Sequence, residues 1–428
     1  MSALVLDERS KVAPGRRIVA AGGGVVTSPL DEFVERVRLR MTVGSVEPTP
    51  SAVLEAVRAE PGSALLGEST LRQVADRLIG EMIGAGGLAP LLADPSVTDV
   101  LVNGVEVWVD RGAGLRRAGG RFGDATEVRR LAQRLAASAG RRLDDASPFV
   151  DAQLADGTRL HAVLPPIGRE GPYLSLRTFR RQTFTIDELI ARGTFDPGAA
   201  RLLASIVAAR IPFLVTGGTG TGKTTVLAAL LSLAPPTERL VVVEDAAELR
   251  LSHPHVVSMQ SRMSNVEGAG EVTLRDLVRQ ALRMRPDRLV VGECRGAEIV
   301  DLLGALNTGH EGGAATLHAN SPADVPARLE ALGLLGGVPR AALHALAHAA
   351  LRVVMHLQRG ADGTRHLSEI CLLEAHPEQR TTVMATAWRR GTGRAAAADQ
   401  LETLIAARGV TPPRPSGPWR FERGTGWQ

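Results

Sequence analysis

The sequence predicts an α/β chain with two domains, the second built on a parallel sheet and the first a smaller α+β unit. Three observations carry this. The segments IPFLVTGG (211–218), RLVVVED (239–245) and RLVVGE (288–293) are unbroken apolar runs, which suits strands buried on both faces of a parallel sheet. Helical stretches lie between them, as βαβ units require. Further upstream, VTDVLVNGVEVWVD (97–110) holds two alternating runs around Asn103-Gly104, the pattern of a hairpin. A chain of 428 residues also exceeds one ordinary core.

Taken in order, residues 1 to about 30 are rich in small residues, including AAGGGVV, and read as a flexible lead. DEFVERVRLRM (31–41), SAVLEAVRAE (51–60) and STLRQVADRLIGEMIGAGG (69–87) space their apolar residues as helices do. Residues 1–62 are therefore expected to be an N-terminal extension with short helices, followed by an α+β domain over 63–179. In that domain GTRLHAVLPP (157–166) and PYLSLRTF (172–179) read as two more strands. RRQTFTIDELIARGTFDPG (180–198) reads as a linker with a short helix, and 199–375 as the α/β domain. Beyond 376 the chain turns polar and then Pro/Gly-rich (TPPRPSGPW), so 376–428 is expected to be a mobile tail.

Composition narrows the function classes. Aromatic residues make up only 3%, so Leu, Val and Ala must fill the cores. The net charge of +4 comes with no long block of like charge, so nucleic acid is not expected as a direct substrate. Two cysteines, Cys294 and Cys371, are too few for a disulfide framework or a four-cysteine zinc site. No apolar run approaches the roughly 18 residues of a membrane span. The opening MSALVLDERSK lacks a signal-peptide pattern, so a cytoplasmic location is expected.

The stretch GGTGTGKTT (217–225) concentrates the chemistry. Of 50 Lys and Arg residues only Lys11 and Lys223 are lysines. Gly217, Gly222, Lys223 and Thr224 match the P-loop pattern in full, with an apolar strand before it and a helix after it. Gly217, Gly218, Thr219, Gly220, Thr221 and Gly222 free their backbone amides to surround a phosphate. The helix that opens at Lys223, Thr224 and Thr225 adds a partial positive charge. Lys223 is suited to the β- and γ-phosphates as a compact charge, where a planar guanidinium fits poorly. The Thr224 hydroxyl is a candidate Mg²⁺ ligand. ATP and Mg²⁺ are the expected cofactors.

A phosphate loop also needs carboxylates at the ends of neighbouring strands. VVVEDAAEL supplies Glu244, Asp245 and Glu248, and LVVGECRGAE supplies Glu293 directly after an apolar strand. Glu293 can orient or deprotonate an attacking water. The commoner pattern has an aspartate before that glutamate as a metal partner. Gly292 stands there instead, so the metal must rely on Thr224, water and the other acidic segment, with Glu244 the candidate ligand. NTGHEGGAATLHANSP (307–322) adds His310 and His318, and a histidine beside a γ-phosphate can hydrogen-bond it. His344 and His348, spaced i, i+4 in an Ala-rich stretch, read as packing residues because no acidic third ligand lies nearby. Trp108, Tyr173 and Cys294 read as packing residues too.

Together GGTGTGKTT, VVVEDAAELRL, RMRPDRLVVGECRGAE and TGHEGGAATLHANSP resemble, in order and spacing, the Walker A, Asp, Walker B and His boxes of the type II/type IV secretion ATPases. LADPSVTDVLVNG, DGTRLHAVLPP and LSLRTF resemble that family's N-terminal domain, and the tight-adherence (Tad/CpaF) pilus ATPases are the branch it most resembles. The resemblance covers about residues 65–375. It implies a RecA-like core, Glu293 as the Walker B glutamate, Glu248 as the Asp-box acid and His318 as the His-box residue. It implies that Arg159 and Arg177, on the matching strands, reach over the nucleotide from the N-terminal domain; the alternation of those strands is consistent with one shared face. It further implies a hexameric ring, peripheral to the inner membrane, that drives pilin movement through a platform protein. A type IV secretion or conjugation ATPase, or a non-hydrolysing ring subunit, are the alternatives. The zinc module of some extension ATPases is excluded by the cysteine count.

Overall fold

The structure, a computed structural model, describes residues 29–43, 49–82, 84–112, 114–178, 183–262, 264, 269–309, 311–376 and 381–412. Most of the expected flexible lead (1–28), His310 and the end of the Pro/Gly-rich tail (413–428) lie outside the described residues. The chain divides into two compact units, Met1–Thr178 and Phe179–Gln428.

The first unit opens with helices α1 (Pro29–Val43), α2 (Pro50–Ala59) and α3 (Glu68–Met82). Their apolar stripes close on a small core of their own that includes Phe33, Val37, Val53, Val57, Val74 and Leu78. Thr49 caps α2, its hydroxyl accepting the Ala52 amide at 3.2 Å. After the short α4 (Ala89–Ala93) comes an antiparallel sheet of β1 (Asp99–Asn103), β2 (Glu106–Asp110), β3 (Leu115–Arg121), β4 (Phe149–Gln153), β5 (Arg159–Val163) and β6 (Tyr173–Arg177). Its order is β3-β2-β1-β6-β5-β4. Helix α5 (Ala125–Ser138) buries Val128, Leu131 and Leu135 against it in one core. The hairpin is present one residue later than Asn103-Gly104 suggests. Asn103 pairs with Glu106, so Gly104 and Val105 form the turn, with Gly104 at φ 61°.

The second unit holds β7 (Phe213–Gly217), β8 (Leu240–Glu244), β9 (Val256–Gln260), β10 (Arg288–Cys294), β11 (Ala314–His318), β12 (Val353–Arg359), β13 (Arg365–His376), β14 (Thr381–Arg389) and β15 (Gly393–Arg394). They form one sheet in the order β15-β14-β13-β12-β7-β11-β10-β8-β9. The six strands from β12 to β9 run parallel, and β13, β14 and β15 pair antiparallel. Every residue of β7 and β8 is buried, as their unbroken apolar runs require. One face packs α6 (Ile186–Ala191), α7 (Pro197–Ala208), α8 (Lys223–Leu231) and α13 (Ala398–Ala406). The other packs α9 (Leu274–Ala281), α10 (Glu298–Asn307), α11 (Val325–Leu335) and α12 (Arg340–Ala350). Among the described residues, no helix is long and apolar enough to cross a membrane.

Three expected boundaries differ from the structure. The border expected at 62/63 divides helices that belong together, since α3 shares its core with α1 and α2 and not with the antiparallel sheet. The stretch 180–198 is not only a linker: Ile186, Leu189 and Phe195 are buried in the core beside α7 and α8. A capping box between Thr185 and Glu188 starts α6 there. Nor is 376–428 a polar tail throughout. β14 pairs with β13 from Glu369↔Arg389 to His376↔Thr381, and Trp388, Leu401 and Ile405 join the core. The threonines and alanines of TTVMATAW hide a strand, because threonine suits a half-buried sheet although it counts as polar.

Candidate functional site

The site forms where the parallel strands end. β7 delivers the chain to a loop that turns through left-handed backbone at Gly217 (φ 147°), Gly220 (φ 73°) and Gly222 (φ 91°). At Gly217 glycine is obligatory on contact grounds as well, since a β-carbon would lie 2.5 Å from the Leu357 carbonyl oxygen. Thr219 and Gly220 are exposed at the tip, and Thr224 and Thr225 are half-buried in the first turn of α8. The amides of that turn have no helical partner and point out of the helix end. Lys223, only 7% exposed, folds back over the loop, its Nζ donating to the Gly217 and Gly218 carbonyls at 3.1 and 2.9 Å. Thr221 Oγ1 also donates to the Gly218 carbonyl, at 2.9 Å.

His318 ends β11 directly opposite Gly217 in the parallel register. Its Nε2 lies 3.3 Å from Lys223 Nζ and 2.6 Å from Glu293 Oε1. Glu293 reaches this side of the sheet through a β-bulge. Val291 pairs with Ala315 and Cys294 with Leu317, so Gly292 and Glu293 together face Thr316. Leu289 and Val291 pack into the core on the α10 face. Strict alternation would send Glu293 there too, but the bulge gives that position to Cys294, which is buried in the same core. Glu293 is thereby released toward the P-loop helix. Arg295 pairs with its other oxygen, Oε2.

The electrostatics follow from this crowding. Burial pushes the Lys223 ammonium below its ordinary value and the Arg295 guanidinium does the same, while the carboxylates of Glu293 and Glu248 oppose them. Burial, then Lys223, lowers His318, with Glu293 pulling the other way. The imidazole is therefore biased toward its neutral form. Burial and three nearby carboxylates push the Cys294 thiol well above its ordinary range, so it is no nucleophile.

The family model for the type II/IV secretion system protein matches residues 82–401, from the last residue of α3 into α13. This chain belongs to that family. A Mycobacterium tuberculosis protein provisionally named for conjugal transfer is 57% identical over 335 residues, covering 77% of this chain and 95% of its own. The type IV secretion system protein PtlH of Bordetella pertussis is 31% identical over 306 residues, covering 64% of this chain and 89% of its own. The crystal structure of the VirB11 ATPase from Brucella suis is similar over 66% of this chain and 94% of that one, at 27% identity and a TM-score of 0.36.

The remaining sequence candidates of this secretion-family chain fall as follows. Glu248 is half-buried and its charge acts on Lys223. Glu244, expected as a metal ligand, is 4% exposed, and its Oε1 accepts the Glu248 and Leu249 amides at 2.9 and 2.8 Å. Arg159 and Arg177 belong to the first unit, where they are direct cross-strand neighbours of β5 and β6 and so share one face. Arg177 also pairs with Asp99 at 3.4 Å. His344 is buried, accepts the Thr382 amide at 3.1 Å on Nδ1 and meets Glu330 at 2.8 Å on Nε2, a packing role.

Two residues near the site went unread in the sequence. Arg295 follows the end of β10 and pairs with Glu293, and no local pattern marks it. His356, 1% exposed on β12, lies 2.9 Å from Thr216 Oγ1 immediately before the P-loop; nothing in its sequence surroundings marks it. Among the described residues no group of three or more His, Cys, Asp and Glu side chains could hold a metal. Thr224 at the start of α8 does fit Mg²⁺, which takes few protein ligands and fills its shell with phosphate oxygens and water.

Proposed function

We propose that this chain is a Mg²⁺-dependent ATP hydrolase that powers a secretion or pilus-assembly machine from the cytoplasmic face of the membrane. The observation that carries this reading is the meeting of Lys223, His318 and Glu293 over one phosphate loop, at 3.3 Å from ammonium to ring and 2.6 Å from ring to carboxylate. On nucleotide binding, Lys223 exchanges the Gly217 and Gly218 carbonyls for the β- and γ-phosphates, which are stronger, charged acceptors. The amides of residues 218–224 wrap the same phosphates. Glu293 then turns from the His318 ring to the attacking water, aligns it and takes up its proton, which leaves the single N–H of neutral His318 to donate to the terminal phosphate. Glu248 supplies a second carboxylate for water. Thr224 would hold Mg²⁺, which when bound neutralises charge on the β- and γ-oxygens. Arg159 and Arg177, side by side on one sheet face, are placed to share a phosphate if that face meets the nucleotide.

The finer reading is a hexameric motor that assembles a Tad-type pilus through an inner-membrane platform protein. It rests on the likeness of the four boxes to that branch. The second reading is a type IV secretion or conjugation ATPase, favoured by the names of the M. tuberculosis and B. pertussis relatives. Recovery of a pilus platform protein or of a conjugation coupling protein with the tagged chain separates the two. A non-hydrolysing ring subunit is disfavoured because both Lys223 and Glu293 are in place. Phosphate release from ATP and Mg²⁺ by the purified chain tests the shared claim: turnover supports it, and nucleotide binding without turnover supports the ring subunit.

A further inference from the structure

Gly292 departs from the commoner P-loop pattern, and the structure shows what occupies the room it leaves. A β-carbon at Gly292 would lie 2.6 Å from Glu244 Cγ, 3.0 Å from its Oε1 and 3.3 Å from its Cδ. The Glu244 side chain therefore passes directly over the Gly292 backbone, and any side chain at 292 would displace it. Gly292 is itself held, its carbonyl accepting Thr316 Oγ1 at 2.6 Å. Glu244 leaves β8 on the α8 side of the sheet, because Leu240 and Val242 face that core and Val241 and Val243 the other. Having crossed Gly292, its Oε1 accepts the amides of Glu248 and Leu249. These bonds close the loop 245–249 on its own strand end, and buried Leu249 pins the loop's far side in the core. The first of them is made by the backbone of Glu248, whose carboxylate acts on Lys223.

We infer that Glu244 is a positioning residue for Glu248, seated in the space that Gly292 leaves open, and not a metal ligand. Oε1 already accepts two amide hydrogens, and with the residue only 4% exposed the other oxygen gives little access to a Mg²⁺ ion that keeps its water shell. Gly292 and Glu244 are then a matched pair. An aspartate at 292 would gain a metal ligand and evict the glutamate that sets the loop. The inference rests on the reading of Glu248 as an acid of the hydrolytic site.

The test uses the full chain with ATP and Mg²⁺ and reads kcat, the KM for ATP, the half-saturating Mg²⁺ concentration and amide exchange at Glu248 and Leu249. Glu244→Gln keeps the oxygen that accepts both amides and should stay close to wild type with unchanged Mg²⁺ dependence. Glu244→Ala and Gly292→Ala should each lower kcat by about 10²-fold, the scale of a small misplacement of a reacting group, with KM for ATP held. Amide exchange at 248 and 249 should quicken in both. The Glu244→Ala/Glu248→Ala double variant should be no slower than Glu248→Ala alone. If Glu244→Ala does not fold, Gly292→Ala carries the same comparison. Loss of activity in Glu244→Gln with a raised Mg²⁺ requirement would overturn the inference in favour of a metal ligand, and additive losses in the double variant would overturn it too. If Glu248→Ala is fully active, it is the reading of Glu248 that fails. Amide exchange then decides the positioning: unchanged protection in Glu244→Ala overturns it, and quickened exchange upholds it.

Discussion

His318 and Glu293 meet at 2.6 Å, ring nitrogen to carboxylate oxygen, at the ends of adjacent strands β11 and β10. The contact exists because a bulge at Gly292-Glu293 turns the glutamate away from the core that strand alternation would give it. Lys223 stands 3.3 Å from the same ring nitrogen. One small structural irregularity thus joins three residues that the sequence scatters over three segments.

Lys223 should be irreplaceable even by the residue this chain uses everywhere else. Lys223→Ala should cut phosphate release by about 10²–10³-fold, the range for removing one preorganised donor. Lys223→Arg should not rescue it, since the planar guanidinium does not fit the compact seat over the Gly217 and Gly218 carbonyls. Steady-state phosphate release on the three proteins checks this, with nucleotide binding followed by calorimetry.

Stability should fall in mild acid. His318, His356 and His366 all have folded-state values below the ordinary 6.5, with burial the largest cause in each. The unfolded chain therefore takes up protons first as pH drops through about 6.5, and folding loses free energy from there until the folded values are passed. Above that window the groups are neutral in both states and the penalty vanishes. Thermal melts from about pH 7.5 to about pH 5 should show a declining midpoint, and His318→Gln should flatten part of the slope.

A second stability test lies at the opposite end of the sheet. Arg288 is fully buried at 0% exposure and paired to Glu238, with its other nitrogens on the Val207 and Gly312 carbonyls. Glu238→Ala strands that charge and should destabilise the second unit by about 3–5 kcal/mol, read by chemical denaturation. A Glu238→Ala variant of wild-type stability would contradict the buried pairing.

Much of this was legible in residues. The apolar runs at 213–217, 240–244 and 288–294 are parallel strands, and GGTGTGKTT sits between strand and helix as its pattern requires. What was hidden depends on tertiary packing. The bulge cannot be read from GECRG, because nothing local tells that Cys294 will take the core position. Glu244 reads as a metal ligand from its strand-end place, and only the packing of its side chain over Gly292 shows where it goes. His356 is an ordinary strand residue until β12 is laid beside β7.

The C-terminal strand and helix were missed for a different reason: their threonines and alanines carry little hydropathy contrast. Their burial gives a direct check. Trp388→Ala should cost about 3–5 kcal/mol, and truncation after residue 376 should yield protein that aggregates, since it bares the edge of β13 and the core face under α13. Circular dichroism and light scattering on the truncated chain would show it; a truncated form that does not aggregate and keeps the full melting temperature would contradict the packing.

The most direct measurement is single-turnover phosphate release with excess protein over ATP in the presence of Mg²⁺, comparing wild type with Glu293→Gln. The account predicts ATP affinity that is held and a rate that falls by about 10²-fold or more, because only the water-activating carboxylate is lost. Equal rates in the two proteins would mean that Glu293 does not act on the attacking water, and would contradict the role assigned to the site at its centre.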